Sequence, residues 1–270
     1  MKKQKQTKVT DYLKSSQKPI LFIIVLFALS ILIGVINADN LQDLINPLLK
    51  DIISKTENLN TIELIIYIFS NNALTSLVGI LSGIFLGVMP LVTTITNGVI
   101  LGYVMERTIQ IAGLGEIWRL FPHGIFELPA VFISLGLGIK LGFTPLINYI
   151  QYYKKKNKLL CFLPFLMALI LSIIAISTLF SLDIEKNENL KDIPKNLLMP
   201  FFSISAVIAY FTLISIIFIL ATAIKNKKLR SIQFVSLKTN FVNSIKVFIY
   251  LIIPLLIIAA IIEGILITVL

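Results

Sequence analysis

Residues 20–36 form a run of seventeen positions without a charged side chain. At a rise of about 1.5 Å per residue, such a run approaches the roughly 30 Å thickness of a bilayer's hydrocarbon layer. Long, predominantly apolar stretches follow near 71–88, 91–105, 122–147, 159–182, 201–224 and 247–270. A soluble core has no use for so many such segments. The expected fold is therefore all-α, a polytopic transmembrane helical bundle of about seven helices. Charged residues make up only 14% of the chain, against about a quarter in soluble domains. The single cysteine, Cys161, excludes an intramolecular disulfide and any multi-cysteine metal site.

The charges that remain are unevenly placed. Residues 1–18 hold six lysines and one acid, and Pro19 then opens the first apolar run, a position that proline favours. A basic start before an apolar run also describes a signal peptide. This run is long for one, however, and no A-x-A-like cleavage site follows it. We read 1–19 as a basic cytoplasmic tail and 20–270 as a single transmembrane domain with an uncleaved anchor. The tail, 154–158 and 225–246 together carry sixteen Lys and Arg, and the alternating loops 37–61, 106–121 and 182–199 carry seven. This bias predicts a multi-pass protein of the cell membrane with its N-terminus in the cytoplasm. It also accounts for the net charge of +10, so nothing here points to nucleic acid. Lys140 stands alone inside a span, where its long stem allows it to snorkel.

Between 37 and 61 the pattern changes. Leu41, Leu44, Ile45, Leu48, Leu49, Ile52 and Ile53 recur at three- and four-residue spacing among acids, lysines and amides. That spacing predicts an extracytoplasmic amphipathic helix lying on the membrane surface or on the bundle, starting or kinked at Pro47. The next long segment is expected to break at Met89-Pro90. The two short stretches around that break can form a crossing hairpin or a re-entrant pair.

The segment 70–143 is the predicted core. Gly79, Gly83 and Gly87 stand four apart, as do Gly98 and Gly102, and Ser134, Gly138 and Gly142. Small residues at that spacing make smooth strips on which membrane helices approach closely, so a glycine-packed core is expected. The same segment carries Asn71, Asn72, Asn97, the only histidine, His123, and Glu127. His123 and Glu127 share a helix face if the helix runs through Pro129; otherwise 122–128 is an irregular loop. In hydrocarbon such groups must satisfy one another or face a watery cavity. Three readings follow: interhelical hydrogen-bonding glue, a ligand or ion site, or an intramembrane catalytic centre. The last lacks a nucleophile, and zinc chemistry wants three protein ligands where only one histidine exists. No metal, cofactor or enzymatic activity is expected.

The order Asn71-Asn72, the glycines to Gly87, Pro90, Asn97-Gly98, and then Pro122-His123-Gly124 with Glu127-Leu128-Pro129-Ala130 resembles the stage II sporulation protein M family. The resemblance is strongest over 70–143. It implies an integral membrane protein acting as scaffold in a complex with other membrane proteins, and it brings no catalytic residue with it. The expected function is a non-enzymatic membrane partner protein in the lipid bilayer. The alternative is a transporter or channel-like component with a polar site at His123 and Glu127.

Overall fold

The computed structural model describes residues 9–84, 87–154, 222 and 225–269. Among them the regular structure is wholly helical: α1 (Val9–Lys14), α2 (Gln17–Ile36), α3 (Ala38–Thr56), α4 (Thr61–Ser82), α5 (Val88–Ala112), a 3-10 turn (Leu114–Leu120), α6 (Phe121–Lys154), α7 (Lys227–Val247), a π-helical turn (Phe248–Ile252) and α8 (Ile253–Val269). Five described segments are long and apolar enough to cross a membrane: Gln17–Ile36, Thr61–Ser82, Val88–Ala112, Gly124–Lys154 and Lys227–Thr268. The chain is an all-α membrane bundle. The expected spans at 159–182 and 201–224, with Cys161, lie outside the described residues.

Two compact units emerge, one from Met1–Gly142 with Lys238–Leu270 and the other from Phe143–Leu237. In the described part of the second, Tyr149 and Leu229 are buried together, and Asn226 Nδ2 donates to Tyr152 Oη at 2.8 Å. Asn226 Oδ1 also accepts from the backbone of Lys228 and Leu229, capping the start of α7.

In the first unit, packing fixes the direction of each helix. The buried stripe Ile23, Phe27, Ser30 and Gly34 of α2 faces α5, with Gly98 against Ser30 and Phe27, and Gly102 against Ile31. Residue numbers rise together across this contact, so α2 and α5 run parallel. Gly136 of α6 meets Ile20, and Phe132 meets Phe27 edge-on at 5.1 Å, so α6 runs antiparallel to α2. Gly83 lies against Gly138, and Gly79 against Leu135, which makes α4 and α6 parallel. In contrast, Gly264 of α8 lies against Ile65, and Ala260 packs with Leu64 and Ile68, so α8 opposes α4. α2, α4, α5 and α6 thus alternate in direction. At 22 and 25 residues, α4 and α5 measure about 33 and 37 Å, long enough to cross.

Several boundaries differ from the expectations. The first apolar run packs into the bundle, with Gly98 and Gly102 against it. The helix expected from about Asn71 starts at Thr61, where Asn60 Oδ1 accepts from the Ile62 and Glu63 backbone while Glu63 Oε2 accepts from Asn60 N. It ends before Met89-Pro90. Gly87 does not extend the strip of Gly79 and Gly83; it sits in the turn, at φ 72°, where a left-handed backbone favours glycine. Pro90 falls in the first turn of α5, where its missing amide hydrogen costs nothing. Much of the expected 106–121 loop is helical, since α5 continues to Ala112. Before Pro254 the chain forms its π-turn: Ile253 N reaches Phe248 O, and proline's absent N–H leaves Tyr250 without the usual bond.

α3 is locked to the bundle by one arginine. Arg107 Nη2 donates to Ala38 O at 3.2 Å, Asp39 Oδ1 at 3.0 Å and Gln42 Oε1 at 3.2 Å. The buried Tyr103 donates to Asn46 Oδ1 at 2.6 Å and packs with Ala38 and Ile45. Pro47 lies inside the helix, one residue past that bond. The opposite face of α3 leaves Leu44, Leu48, Ile52 and Ile53 at least half exposed.

Candidate functional site

The parallel contact of α4 with α6 sets the register of the site. A Cβ on Gly83 would run into the Gly138 carbonyl, and one on Gly138 into the Gly79 carbonyl, so the two backbones touch there. Seven residues earlier on each helix, Asn72 and Glu127 stand at matching levels, about two turns from Gly79 and Ser134. There the helices no longer close on each other. α6 begins at Phe121 and continues through Pro129, so Glu127 lies on regular helix, not in an entrance loop. Pro129 lacks an N–H for the Ile125 carbonyl.

Two clefts occupy this end of the bundle. One, of about 400 Å³, is lined by Glu57, Tyr67, Asn71, Asn72, Glu127, Glu263 and Thr268 with aliphatic walls from Ile52, Leu64, Ile68 and Ile267. The other, of about 330 Å³, is lined by Asn71, Asn72, Thr75, Asn97, Gly124 and Glu127 with Phe27, Ile100, Leu101 and Val131. Asn71, Asn72 and Glu127 form the wall common to both. Of the expected polar cluster, the structure therefore brings together Asn71, Asn72, Asn97 and Glu127. The backbone of His123 lies in the first turn of α6, and its side chain lies outside the described residues. None of the three asparagine side chains makes a hydrogen bond to a described residue. Asn71 and Asn72 line both clefts, and Asn97 lines the second.

Glu263 is the residue that reading the sequence did not attach to this cluster. Its place follows from the antiparallel contact of α8 on α4: Gly264 against Ile65 brings the neighbouring carboxylate to the level of Tyr67 and Asn71. The glycine beside the acid was the available signal. Of the remaining packing glycines, Gly98, Gly102 and Gly142 are buried, the first two against α2.

A second polar cluster lies at the other end of the same helices, around the N-terminus of α2. Lys140 does not reach outward on its own. Its Nζ donates to Ser15 Oγ at 2.6 Å and Ser16 Oγ at 2.9 Å, and sits 3.9 Å from the centre of the Tyr12 ring. Both serine hydroxyls donate to the Tyr12 carbonyl at 2.7 Å. Tyr12, itself buried, donates to Asn240 O at 3.1 Å and shares a hydrogen bond with Ser244 Oγ at 3.0 Å. Burial pushes the Tyr12 phenol up to about 12 from an ordinary 10.0, against the opposing pull of Ser244.

A glycine-packed bundle of alternating apolar helices, with a polar cleft at one end, defines the class: a polytopic helical membrane protein. The sequence pattern of the family described as stage II sporulation protein M matches residues 23–182, more than half of the chain, and the chain belongs to that family. It is also 28% identical over 170 residues to Uncharacterized protein MJ0706 of Methanocaldococcus jannaschii, a match covering 59% of this chain and 76% of that protein. No solved structure matches the chain.

Proposed function

We propose that this protein is a non-enzymatic scaffold of the cell membrane, its N-terminus in the cytoplasm, that holds other membrane proteins in a complex. The observation that carries the reading is α3. One face is fixed by Arg107, Tyr103 and Asn46, while Leu44, Leu48 and Ile52 form an apolar stripe at four-residue spacing on the free face. Helix-in-groove recognition uses anchors at this spacing, and a helix already held rigid loses little entropy on docking. The charge asymmetry of the loops supports a position of α3 outside the cytoplasm. Nucleic acid has no place in this reading.

The test is site-specific photo-crosslinking from Leu44 and Leu48 in native membranes. A discrete protein adduct is expected from both positions. The same protein should fail to co-purify with a Leu44→Glu, Leu48→Glu variant. Adducts with lipid alone would refute the scaffold surface. Cysteines placed at the exposed Asp43 and at Lys156 check the orientation, since only the first should react with an impermeant reagent added outside.

A further inference from the structure

The larger cleft is rich in acceptors and poor in cations. Glu57, Glu127 and Glu263 contribute three carboxylates, and Asn71 and Asn72 contribute amide oxygens; no Lys or Arg is among its described lining residues. Glu263 makes no hydrogen bond or ion pair with a described residue, although it stands on an apolar membrane helix. A carboxylate in that setting is disfavoured unless a cation or donors come to it. Lys55, beside Thr56 at the end of α3, is engaged by Asp51 at 2.6 Å. Opposite the acids the walls are aliphatic, from Ile52, Leu64, Ile68 and Ile267. The volume of about 400 Å³ falls within the range of about 300–1,000 Å³ typical of small-ligand pockets.

We infer that this cleft is a binding site for the primary ammonium headgroup of an amphiphile, with Glu127 and Glu263 facing the ammonium, Asn71 and Asn72 supplying neutral acceptors, and the aliphatic wall covering the first carbons of its chain. The cleft shares Ile52 with the scaffold surface on α3, whereas the residues that meet the headgroup lie on α4, α6 and α8. An anionic headgroup is disfavoured there, because it would meet the carboxylates of Glu57, Glu127 and Glu263. Glu57, exposed where α3 ends, is among the lining residues, so a ligand can reach the cleft from that side.

Octylamine, octanol and ethylamine separate charge from chain as probes. Each is titrated into the full chain in a neutral detergent, with calorimetry as the readout. Octylamine should bind at least tenfold more tightly than octanol. Glu263→Gln and Glu127→Gln, which keep shape and remove charge, should each weaken octylamine by tenfold or more. Preference for octylamine over ethylamine assigns the ligand to the lipid phase; equal binding of the two overturns the amphiphile and leaves a soluble amine. Equal binding of octanol, or undiminished octylamine binding by both variants, overturns the site. If a Gln variant fails to fold, Asn71→Leu takes its place and should weaken octylamine without affecting octanol.

Discussion

The two polar clusters of the first unit sit at opposite ends of the same helices, and they are built on opposite principles. Around Tyr12, each hydroxyl and the Lys140 ammonium have partners within hydrogen-bond distance. Around Asn72, the amides face open clefts. Polar groups in a membrane protein are retained either because they satisfy one another or because something else satisfies them. The first end therefore ties the amino-terminal segment to α6 and α7. At the second end the amides of Asn71, Asn72 and Asn97 have no hydrogen-bond partner among the described residues. Between them lies the contact of Gly79 and Gly83 with Gly138, which closes the helices on one side and lets them part on the other.

Breaking that junction should have the largest effect. Gly83→Leu or Gly138→Leu puts a side chain into a backbone carbonyl on the facing helix, with no flexible neighbour to yield. Overpacking typically costs about 1–3 kcal/mol, and a backbone-to-backbone contact should reach the top of that range or pass it. Gly124→Ala is the control: its new methyl would meet only Leu128 Cδ1 at 3.8 Å, an ordinary contact. Thermal melting in detergent should show a large loss for the first two and almost none for the third. Equal melting of all three would remove the junction from the comparison.

The tight end comes next. Lys140→Met removes charge-assisted hydrogen bonds to Ser15 and Ser16 and the cation over Tyr12, and should destabilise by about 1–2 kcal/mol. Tyr12→Phe keeps the ring and should cost about 1 kcal/mol. The phenol also dictates a pH dependence. Its folded value, about 12, is above the ordinary 10.0, so the native state holds the proton longer than the unfolded chain. Its contribution is complete below about pH 10 and is lost as pH rises towards 12. Melting followed from pH 9 upward should fall more steeply in the wild type than in Tyr12→Phe; parallel curves would show that the phenol is not held by burial.

The extent to which these ends could be read in advance follows from the range of the interactions. Long apolar runs report membrane helices directly, because hydropathy is a property of each segment alone. The capping box of Asn60 and Glu63 is equally local, and its N-x-x-E spacing marks the start of α4 ten residues before Asn71. Glycine strips announce close approach without naming the partner. Gly98 and Gly102 could have met α4 or α6, and they meet α2 instead. The pairing of Lys140 with Ser15 spans 125 residues, and no periodicity encodes it. Glu263 joins Asn71 only because α8 descends antiparallel on α4, a fact of topology that a carboxylate near the chain's end does not reveal. The shared wall of Asn71, Asn72 and Glu127 was legible as a polar cluster, but its role as a wall depends on where the helices part.

The smallest effect is expected at the open end, and it is the sharpest test of the difference. Hydrogen bonds between membrane helices average about 0.6 kcal/mol and reach about 1.7. If Asn72 and Asn97 were glue, replacing either with leucine would forfeit a bond of that size and strand a partner. No described residue is a partner to strand, so Asn72→Leu and Asn97→Leu should change stability by no more than about 0.5 kcal/mol, the scale of substitutions that break no packed or bonded contact. Leucine in the cleft also removes a polar group that would otherwise need water, which pushes the change towards stabilisation. Melting of both variants beside Lys140→Met, in the same detergent, ranks the two ends directly. Losses at Asn72 or Asn97 that match the loss at Lys140 would mean that the amides hold the bundle together and that the clefts close in the membrane. Unchanged melting for both, with octylamine binding weakened in Asn72→Leu, would leave the two ends as distinct as their hydrogen bonds make them.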